Sequence, residues 1–278
     1  MSGRKKKLSE KLKRYNVLLI IALIVLMLLL GVLMVVMMFG KGADYKIVSR
    51  KDNIEKSRKQ DNPEYETIGW VRIQGTNIDY PLYGVIKDGY DYPVSESYLW
   101  SLNMDSDFHD TMLVYGHNVM NLGPNPISHD NSFTRMEELM NFVYYDFAKE
   151  NQFIQLTING EDYLYRVFAV NFMLVESLNE YPKGEWVTAD KTKYIERLVK
   201  ESIYDYDVEY KDSDKVLSVV TCSRFFSNGR NYDFIVTGRL MRPGEAVRVT
   251  GVHRNRNYAE IDEIMKEAQK NEESTEDA

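Results

Sequence analysis

Cysteine and histidine are scarce in this sequence of 278 residues, which contains one cysteine, Cys222, and four histidines. A lone thiol has no intramolecular disulfide partner, so a disulfide framework within the chain is excluded. One cysteine and four histidines also offer no zinc-type cluster, and we predict neither a metal nor another cofactor. The acidic loop over residues 105–110, which contains His109, matches no calcium-ligand template well, so a solvated loop is the simpler interpretation.

Charge is absent from a long apolar run between Val17 and Phe39. Its 23 residues would span about 35 Å as a helix, enough to cross a hydrocarbon core of about 30 Å. The run is too long for a cleavable signal peptide, and no small-residue cleavage site is evident. Basic residues precede it, which the positive-inside rule places in the cytoplasm. We therefore predict a cytoplasmic tail over residues 1–15, a single-pass signal anchor over residues 16–39 and an extracellular remainder.

Basic residues are outnumbered in the predicted extracellular part. Residues 41–278 hold 28 of the 35 lysines and arginines and 41 of the 42 aspartates and glutamates, which gives a net charge of −13. Such a surface repels phosphate backbones and anionic lipid headgroups, so nucleic-acid binding is disfavoured. About 235 residues are enough for one domain with a well-buried core.

Short runs of alternating or β-branched residues dominate the extracellular part, with isolated helical patterns between them. Residues 40–63 are polar and predict a stalk or N-terminal helix, and residues 246–278 predict a polar acidic tail. Residues 64–245 then form the folded domain, mostly β with helices in the connections, as a mixed, mostly antiparallel barrel or sandwich. The predicted strands are Ile68–Ile73, Ile78–Tyr83, Thr111–Tyr115, Phe153–Ile158, Tyr163–Val175, Lys215–Thr221 and Phe234–Leu240.

Turn and helix signals lie between these strands. Asn159-Gly160 is a strong two-residue hairpin signal. Ser132 is a candidate cap for a short helix, and Asp190 is a candidate cap for a helix over Lys191–Ser202. A third helical pattern covers Tyr258–Gln269. The apolar stripe of the second helix predicts core packing and consists of Tyr194, Ile195, Leu198 and Val199.

Three residues suited to acyl transfer lie where a predicted strand meets a loop. Cys222 ends the run Val216–Cys222, His117 follows Thr111–Tyr115, and Arg230 precedes the last strand. A neighbouring imidazole or guanidinium favours the nucleophilic thiolate, and acyl transfer also needs an acid for the leaving amine and a donor for the oxyanion. The alternative is a buried, inert cysteine, because free cysteine often packs as a small hydrophobe.

Four motifs extend this pattern along the chain. They are Gly69-Trp70-Val71-Arg72-Ile73, Ile78-Asp79-Tyr80-Pro81-Leu82, Val114-Tyr115-Gly116-His117-Asn118, and Val220-Thr221-Cys222 with an arginine before a closing strand. With these motifs behind an N-terminal anchor, the sequence resembles the sortases, a family of membrane-anchored cysteine transpeptidases of Gram-positive bacteria. The match spans about residues 64–242 in the order His, Cys, Arg, whereas papain-like hydrolases place the cysteine before the histidine.

Within this family the sequence resembles class B. The helical pattern over Lys191–Ser202, before the cysteine-bearing strand, is similar to that class, as is the polar helix before the barrel. The pilin-polymerising class C usually carries an Asp-Pro-aromatic lid and a second, C-terminal span, whereas Asp61-Asn62-Pro63 lacks the lid pattern and the C-terminal tail is polar. The resemblance implies a sortase-like closed β-barrel of class B type, a class that includes pilus-assembling members.

The resemblance also implies roles for individual residues. Cys222 matches the nucleophile, His117 the acid/base, and Arg230 the arginine that positions the substrate and the oxyanion. Thr221 and Ser223 flank the nucleophile and are the implied substrate contacts.

Two departures from the family pattern bear on these roles. Val220 stands where relatives usually have a small polar residue, which leaves the sorting motif open. Counting back from the strand at Phe234 puts Asp233 in the arginine's place, and Arg224 is a further alternative to Arg230.

The implied reaction is cleavage of a C-terminal sorting signal on a surface protein or pilin through a thioacyl intermediate. The acyl group then passes to an amine, either of a peptidoglycan cross-bridge or of a pilin lysine. Two other functions fit the same residues less well. One is a non-catalytic, membrane-tethered assembly protein with a sortase-like barrel, and the other is a hydrolytic cysteine peptidase.

Overall fold

The structure is a computed structural model in which the chain forms two compact units, Met1–Ala43 and Asp44–Ala278. It describes residues 19–21, 23–28, 45–61, 65–85, 99–101, 108–128, 136–174, 188–225 and 232–266. In the first unit, residues 19–21 and 23–28 are helical, and their large apolar side chains are exposed. Within the described ranges, no helix is both long enough and apolar enough to cross a membrane. Most of the predicted anchor lies outside the described residues.

The second unit consists mainly of β-strands, with helices in the connections. Its strands are β1 (Tyr65–Ile73), β2 (Asp79–Val85), β3 (Leu99–Ser101), β4 (Thr111–Gly116), β5 (Phe153–Ile158), β6 (Glu161–Leu174), β7 (Tyr204–Tyr206), β8 (Val216–Ser223), β9 (Tyr232–Leu240) and β10 (Val252–Arg254). Its helices are α1 (Lys51–Arg58), a 3-10 helix (Glu137–Val143), α2 (Tyr145–Glu150), α3 (Thr188–Glu201) and α4 (residues 258–266).

Eight of these strands form a closed barrel in the order β1-β2-β3-β4-β8-β9-β6-β5, because β5 pairs back with β1. The β2–β3 and β4–β8 pairs are parallel, and the other neighbours in the barrel are antiparallel. Strands β7 and β10 form a separate two-stranded sheet. The predicted class, mostly β with a closed barrel and helices in the connections, is confirmed.

The hairpin between β5 and β6 shows how local sequence sets this topology. Asn159 and Gly160 have φ angles of 52° and 73°, the left-handed region that a two-residue hairpin of this kind requires. Asn and Gly adopt that region at little cost, so the turn holds Ile158 opposite Glu161 and fixes the register of the two strands. The predicted hairpin is confirmed.

Alternation along the strands divides the apolar residues into two layers. In β8, Leu217 and Val219 belong to the main core cluster, whereas Val216 and Val220 belong to a second cluster on the outer face, under α3. That outer cluster includes three of the four residues of the predicted stripe, Tyr194, Ile195 and Leu198. Val199 is 48% exposed, so the stripe is narrower than predicted.

Helix starts differ from the prediction. Asp190 lies in the first turn of α3 and does not cap it, because the helix begins at Thr188. The short helix predicted after Ser132 is a 3-10 helix, which precedes α2 and starts at Glu137 without a side-chain cap. Ser132, its predicted cap, lies outside the described residues.

The segment after the barrel is also packed against the core. Val252 of β10 and Tyr258 and Ile261 of α4 are buried, and all three belong to the main core cluster. These residues fall within the range for which the sequence predicts a polar tail. Residues 267–278, the most acidic part of that range, lie outside the described residues.

Candidate active site

The site is built from three neighbouring strands of the barrel, β4, β8 and β9. In the parallel β4–β8 pair, Gly116 at the end of β4 is the register partner of Thr221. His117, directly after β4, and Cys222, the next residue of β8, therefore lie at the same end of the pair. In the antiparallel β8–β9 pair, Cys222 lies opposite Asp233. Side chains at register partners share a face of the sheet, so Cys222 and Asp233 lie on one face at this end of the barrel. Together with His117, directly after β4, they make up a row of histidine, cysteine and aspartate from three neighbouring segments.

Two hydrogen bonds fix the strand ends that carry this row. The Asn118 side-chain amide donates to the Cys222 carbonyl at 2.9 Å, which ties the segment after His117 to the backbone of Cys222. The Thr221 hydroxyl donates to the Gly116 carbonyl at 2.6 Å across the same strand pair. Both side chains are buried. The relative position of the histidine and cysteine segments is therefore set by side chains as well as by the ladder.

Tyr115 links two members of the row. Its hydroxyl lies 2.8 Å from the Cys222 sulfur and donates to the Asp233 carboxylate at 3.0 Å. Tyr115 comes two residues before His117 and shares its face by strand alternation, so the phenol extends along the sheet toward the end of β8. Cys222 is half-buried, whereas Asp233 is fully buried.

The surroundings of Cys222 favour a protonated thiol. Burial raises its pKa, the hydrogen bond with Tyr115 lowers it, the charge of Asp233 raises it, and the charge of Arg224 lowers it, with a net shift upward. Burial and the Asp233 charge also raise the pKa of Tyr115, so the phenol remains protonated at neutral pH. The resting cysteine is thus a neutral thiol, and the exposed Arg224 guanidinium acts on it as a positive charge.

Of the two candidate arginines, the structure describes Arg224 but not Arg230. Arg230 lies outside the described residues, so its role remains a prediction. Arg224 is exposed directly after β8, and its charge acts on Cys222. The ladder places Asp233 opposite Cys222, the position that counting back from the last strand assigns to the arginine.

The two predicted substrate contacts are both buried. The Thr221 hydroxyl is engaged with the Gly116 carbonyl, and the Ser223 hydroxyl accepts a hydrogen bond from the Phe225 amide at 3.2 Å. Their part in substrate binding remains a prediction. Asp110 of the acidic loop pairs with Lys215 at 2.9 Å, and the described part of the chain holds no group of three or more potential metal ligands.

Sequence reasoning identified the cysteine and the histidine but not Tyr115, although the tyrosine belongs to the motif that contains His117. The available signal was its spacing, since a residue two positions before the histidine lies on the same face of a strand. Asp233 appeared in the sequence analysis only because counting back from the strand at Phe234 puts it in the position of the family's arginine.

Known proteins with the same architecture are sortases. Sortase B of Listeria monocytogenes is 23% identical over 192 residues, which cover 63% of this chain and 70% of that protein. The structure of Clostridium perfringens sortase B superposes with a TM-score of 0.54 at 21% identity, covering 68% of this chain and all of that one. The structure of sortase B from the type II pilus of Streptococcus pneumoniae superposes with a TM-score of 0.51 at 19% identity, covering 70% of this chain and 99% of that one. No protein-family model matches the chain.

The barrel, with histidine and cysteine at one end of a parallel strand pair, thus has the sortase fold, and the sequence similarity supports a sortase-type cysteine transpeptidase. More particularly, the chain is a homologue of sortase B and is class B-like. The resemblance predicted from the sequence motifs is confirmed.

Proposed function

We propose that this chain is a membrane-anchored transpeptidase that joins surface proteins or pilins to an amine, with Cys222 as nucleophile and His117 as acid and base. The observation that carries the proposal is the β4–β8 register. Two strands that are about a hundred residues apart in sequence are direct parallel partners, with Gly116 opposite Thr221, and His117 and Cys222 each follow one member of this pair. The Asn118 bond to the Cys222 carbonyl holds that arrangement.

In the first half of the reaction, the Cys222 thiol gives its proton to His117, and the sulfur attacks the carbonyl carbon of a Thr–Gly-type bond in the sorting signal. The carbon–nitrogen bond breaks, a thioester forms, and the departing amine takes a proton from protonated His117. In the second half, an incoming amine attacks the thioester and gives its proton to His117, and the Cys222 thiolate leaves. Arg230 would stabilise the oxyanion in both halves, with Arg224 as the alternative.

The anchor predicted over residues 16–39 would place this chemistry at the membrane, where substrates with their own C-terminal spans arrive. The basic N-terminus would lie in the cytoplasm and the barrel outside the cell. The net charge of −13 for residues 41–278 fits an extracellular surface that does not adhere to anionic lipid. Alkaline extraction of membranes, together with protease treatment of intact cells, would test both the span and the orientation.

The decisive experiment uses the full-length chain in detergent with sorting-signal peptides and either a glycine oligopeptide or a lysine-containing peptide. Intact mass spectrometry should show an acyl adduct on the wild type, which added amine converts to an amide product, and no adduct on Cys222→Ala. The amine that gives product distinguishes wall anchoring from pilus polymerisation.

Two outcomes would contradict the proposal. Release of the acid with no amide, whatever amine is added, would identify a hydrolytic peptidase. A folded protein whose thiol is alkylated normally but forms no adduct with any peptide would favour the non-catalytic assembly protein.

A further inference from the structure

Cys222, Tyr115 and Asp233 form a hydrogen-bonded chain that the reaction described above does not use. The phenolic oxygen lies 2.8 Å from the sulfur and donates to the carboxylate at 3.0 Å. Asp233 is fully buried and lies opposite Cys222 in the ladder, so the carboxylate, the phenol and the thiol face one another across β4, β8 and β9.

The single phenolic proton of Tyr115 cannot be donated to the Asp233 carboxylate and to a Cys222 thiolate at the same time. A phenol has one proton, and it lies on the Asp233 side in the resting arrangement, so the neutral thiol donates to the Tyr115 oxygen. When the thiol ionises, thiolate and carboxylate compete for that single phenolic proton, and two negative charges then face each other across the strand pair.

We propose that Tyr115 and Asp233 are positioning residues of the reaction: Tyr115 holds the Cys222 sulfur at the end of β8, and the Asp233 carboxylate holds Tyr115 and opposes thiolate formation. This inference rests on the proposed function in taking Cys222 as the nucleophile. Its consequence is a thiol that stays neutral until His117 and bound substrate favour the charged form.

The two residues act on the thiolate with opposite signs. Tyr115 stabilises it as a hydrogen-bond donor, whereas Asp233 destabilises it as a like charge. Arg224 adds a favourable positive charge, and burial adds to the unfavourable side. Among the residues that the structure describes, the titratable and charged groups near this region include Tyr115 and His117 from the β4 segment, Arg224 after β8, Asp233 from β9, Tyr194 from α3 and Tyr210.

The test is the pH dependence of Cys222 alkylation by iodoacetamide in the full-length protein, which needs no sorting peptide. Asp233→Asn removes the like charge and should lower the alkylation midpoint by about one pH unit, which means about tenfold more thiolate at pH values below the midpoint. Tyr115→Phe removes the donor and should raise the midpoint. The midpoint is the decisive quantity, because a thiolate of lower pKa is also a weaker nucleophile and the plateau rate falls.

Matched controls separate this effect from general perturbation. Tyr194→Phe removes a buried hydroxyl from the same outer face, where it contacts Ser218 at 3.4 Å, and should leave the midpoint unchanged. Asp162→Asn removes a carboxylate that accepts the Thr157 hydroxyl at 2.6 Å in the β5–β6 hairpin, and should also leave it unchanged.

Shifts of Asp233→Asn and Tyr115→Phe in opposite directions would support the proposal. Shifts in the same direction, or shifts no larger than those of the controls, would overturn it. If Asp233→Asn does not fold, Tyr115→Phe alone decides, since an unchanged or lowered midpoint contradicts the assigned role. Opposite shifts without any acyl transfer to an amine would retain this inference and reject the proposed function.

Discussion

Asp233 and Arg239 lie on the same outer face of β9, near its two ends, and their surroundings differ. Arg239 donates to both carboxylate oxygens of Glu245, at 2.8 and 2.7 Å, and to the Glu209 carbonyl at 2.8 Å. Asp233, six residues away, accepts a hydrogen bond from the Tyr115 hydroxyl and lies opposite Cys222, which would become negative in the proposed reaction. One end pairs opposite charges, and the other brings like charges together.

This difference indicates which end serves stability and which serves chemistry. A bidentate pair that satisfies a buried guanidinium stabilises the fold and gains nothing from being close to a substrate. A buried carboxylate beside a nucleophile weakens the charged form of that nucleophile, and such perturbed groups concentrate at functional sites. Strand β9 therefore has a structural cluster at one end and the reactive row at the other.

The largest expected effect is at the reactive end. His117→Ala should lower kcat/KM for acyl transfer by about 10²–10⁴-fold, because the leaving amine loses its proton donor. The thermal midpoint should change little, since His117 is at the strand end. His253→Ala, at a side chain that is 65% exposed, is the matched control and should retain activity. Equal activity of both variants would remove His117 from the reaction.

At the structural end of β9, where Arg239 pairs with Glu245, a substitution should change the stability of the fold but not the reactivity of Cys222. Glu245→Ala leaves Arg239, whose side chain is 3% exposed, without its bidentate partner, and should lower the free energy of unfolding by about 3 kcal/mol. Urea denaturation measures this loss. Glu209→Ala removes a carboxylate that is 68% exposed and pairs with Arg242, and should cost less than about 1 kcal/mol. A shift of the Cys222 alkylation midpoint in Glu245→Ala would contradict the separation of the two ends.

Two substitutions distinguish Arg230 from Arg224 as the arginine that acts at the reactive end. Arg230→Ala should lower kcat/KM by about 10²-fold if it stabilises the oxyanion. Arg224→Ala should instead raise the alkylation midpoint modestly, because its charge favours the thiolate. The reverse pattern, with acyl transfer lost in Arg224→Ala and retained in Arg230→Ala, would move the catalytic role to Arg224.

Local sequence predicted most of the barrel strands, because β-branched and alternating runs mark them directly. The run at Phe153–Ile158 and the turn at Asn159-Gly160 are where they were expected. The pairing of β4 with β8 could not be predicted from such patterns, since alternation specifies a face but not a partner. The three-residue strands β3, β7 and β10 were missed for a related reason, because strands this short depend on their partners rather than on their own periodicity.

The reactive row was predictable only in part. Cys222 and His117 follow from the chemistry of their residue types and from the family motifs. Tyr115 was not separated from its motif, because the reach of its hydroxyl to a sulfur 107 residues later is a property of the folded sheet. The position of Asp233 opposite Cys222 depends on the β8–β9 register, which the sequence patterns do not give.

The smallest predicted effect is the acid sensitivity of the structural end. The hydrogen bonds from Arg239 hold the pKa of Glu245 at about 2, below its ordinary value of 4.5. A carboxylate whose pKa is lower in the folded state stabilises the fold fully above the unfolded pKa, and this contribution disappears as the pH falls through the folded value. The difference in thermal midpoint between the wild type and Glu245→Gln should therefore be constant above about pH 5 and should narrow toward pH 2. A difference that stays constant down to pH 2 would mean that the charge of Glu245 does not contribute, and that packing alone explains the loss in Glu245→Ala.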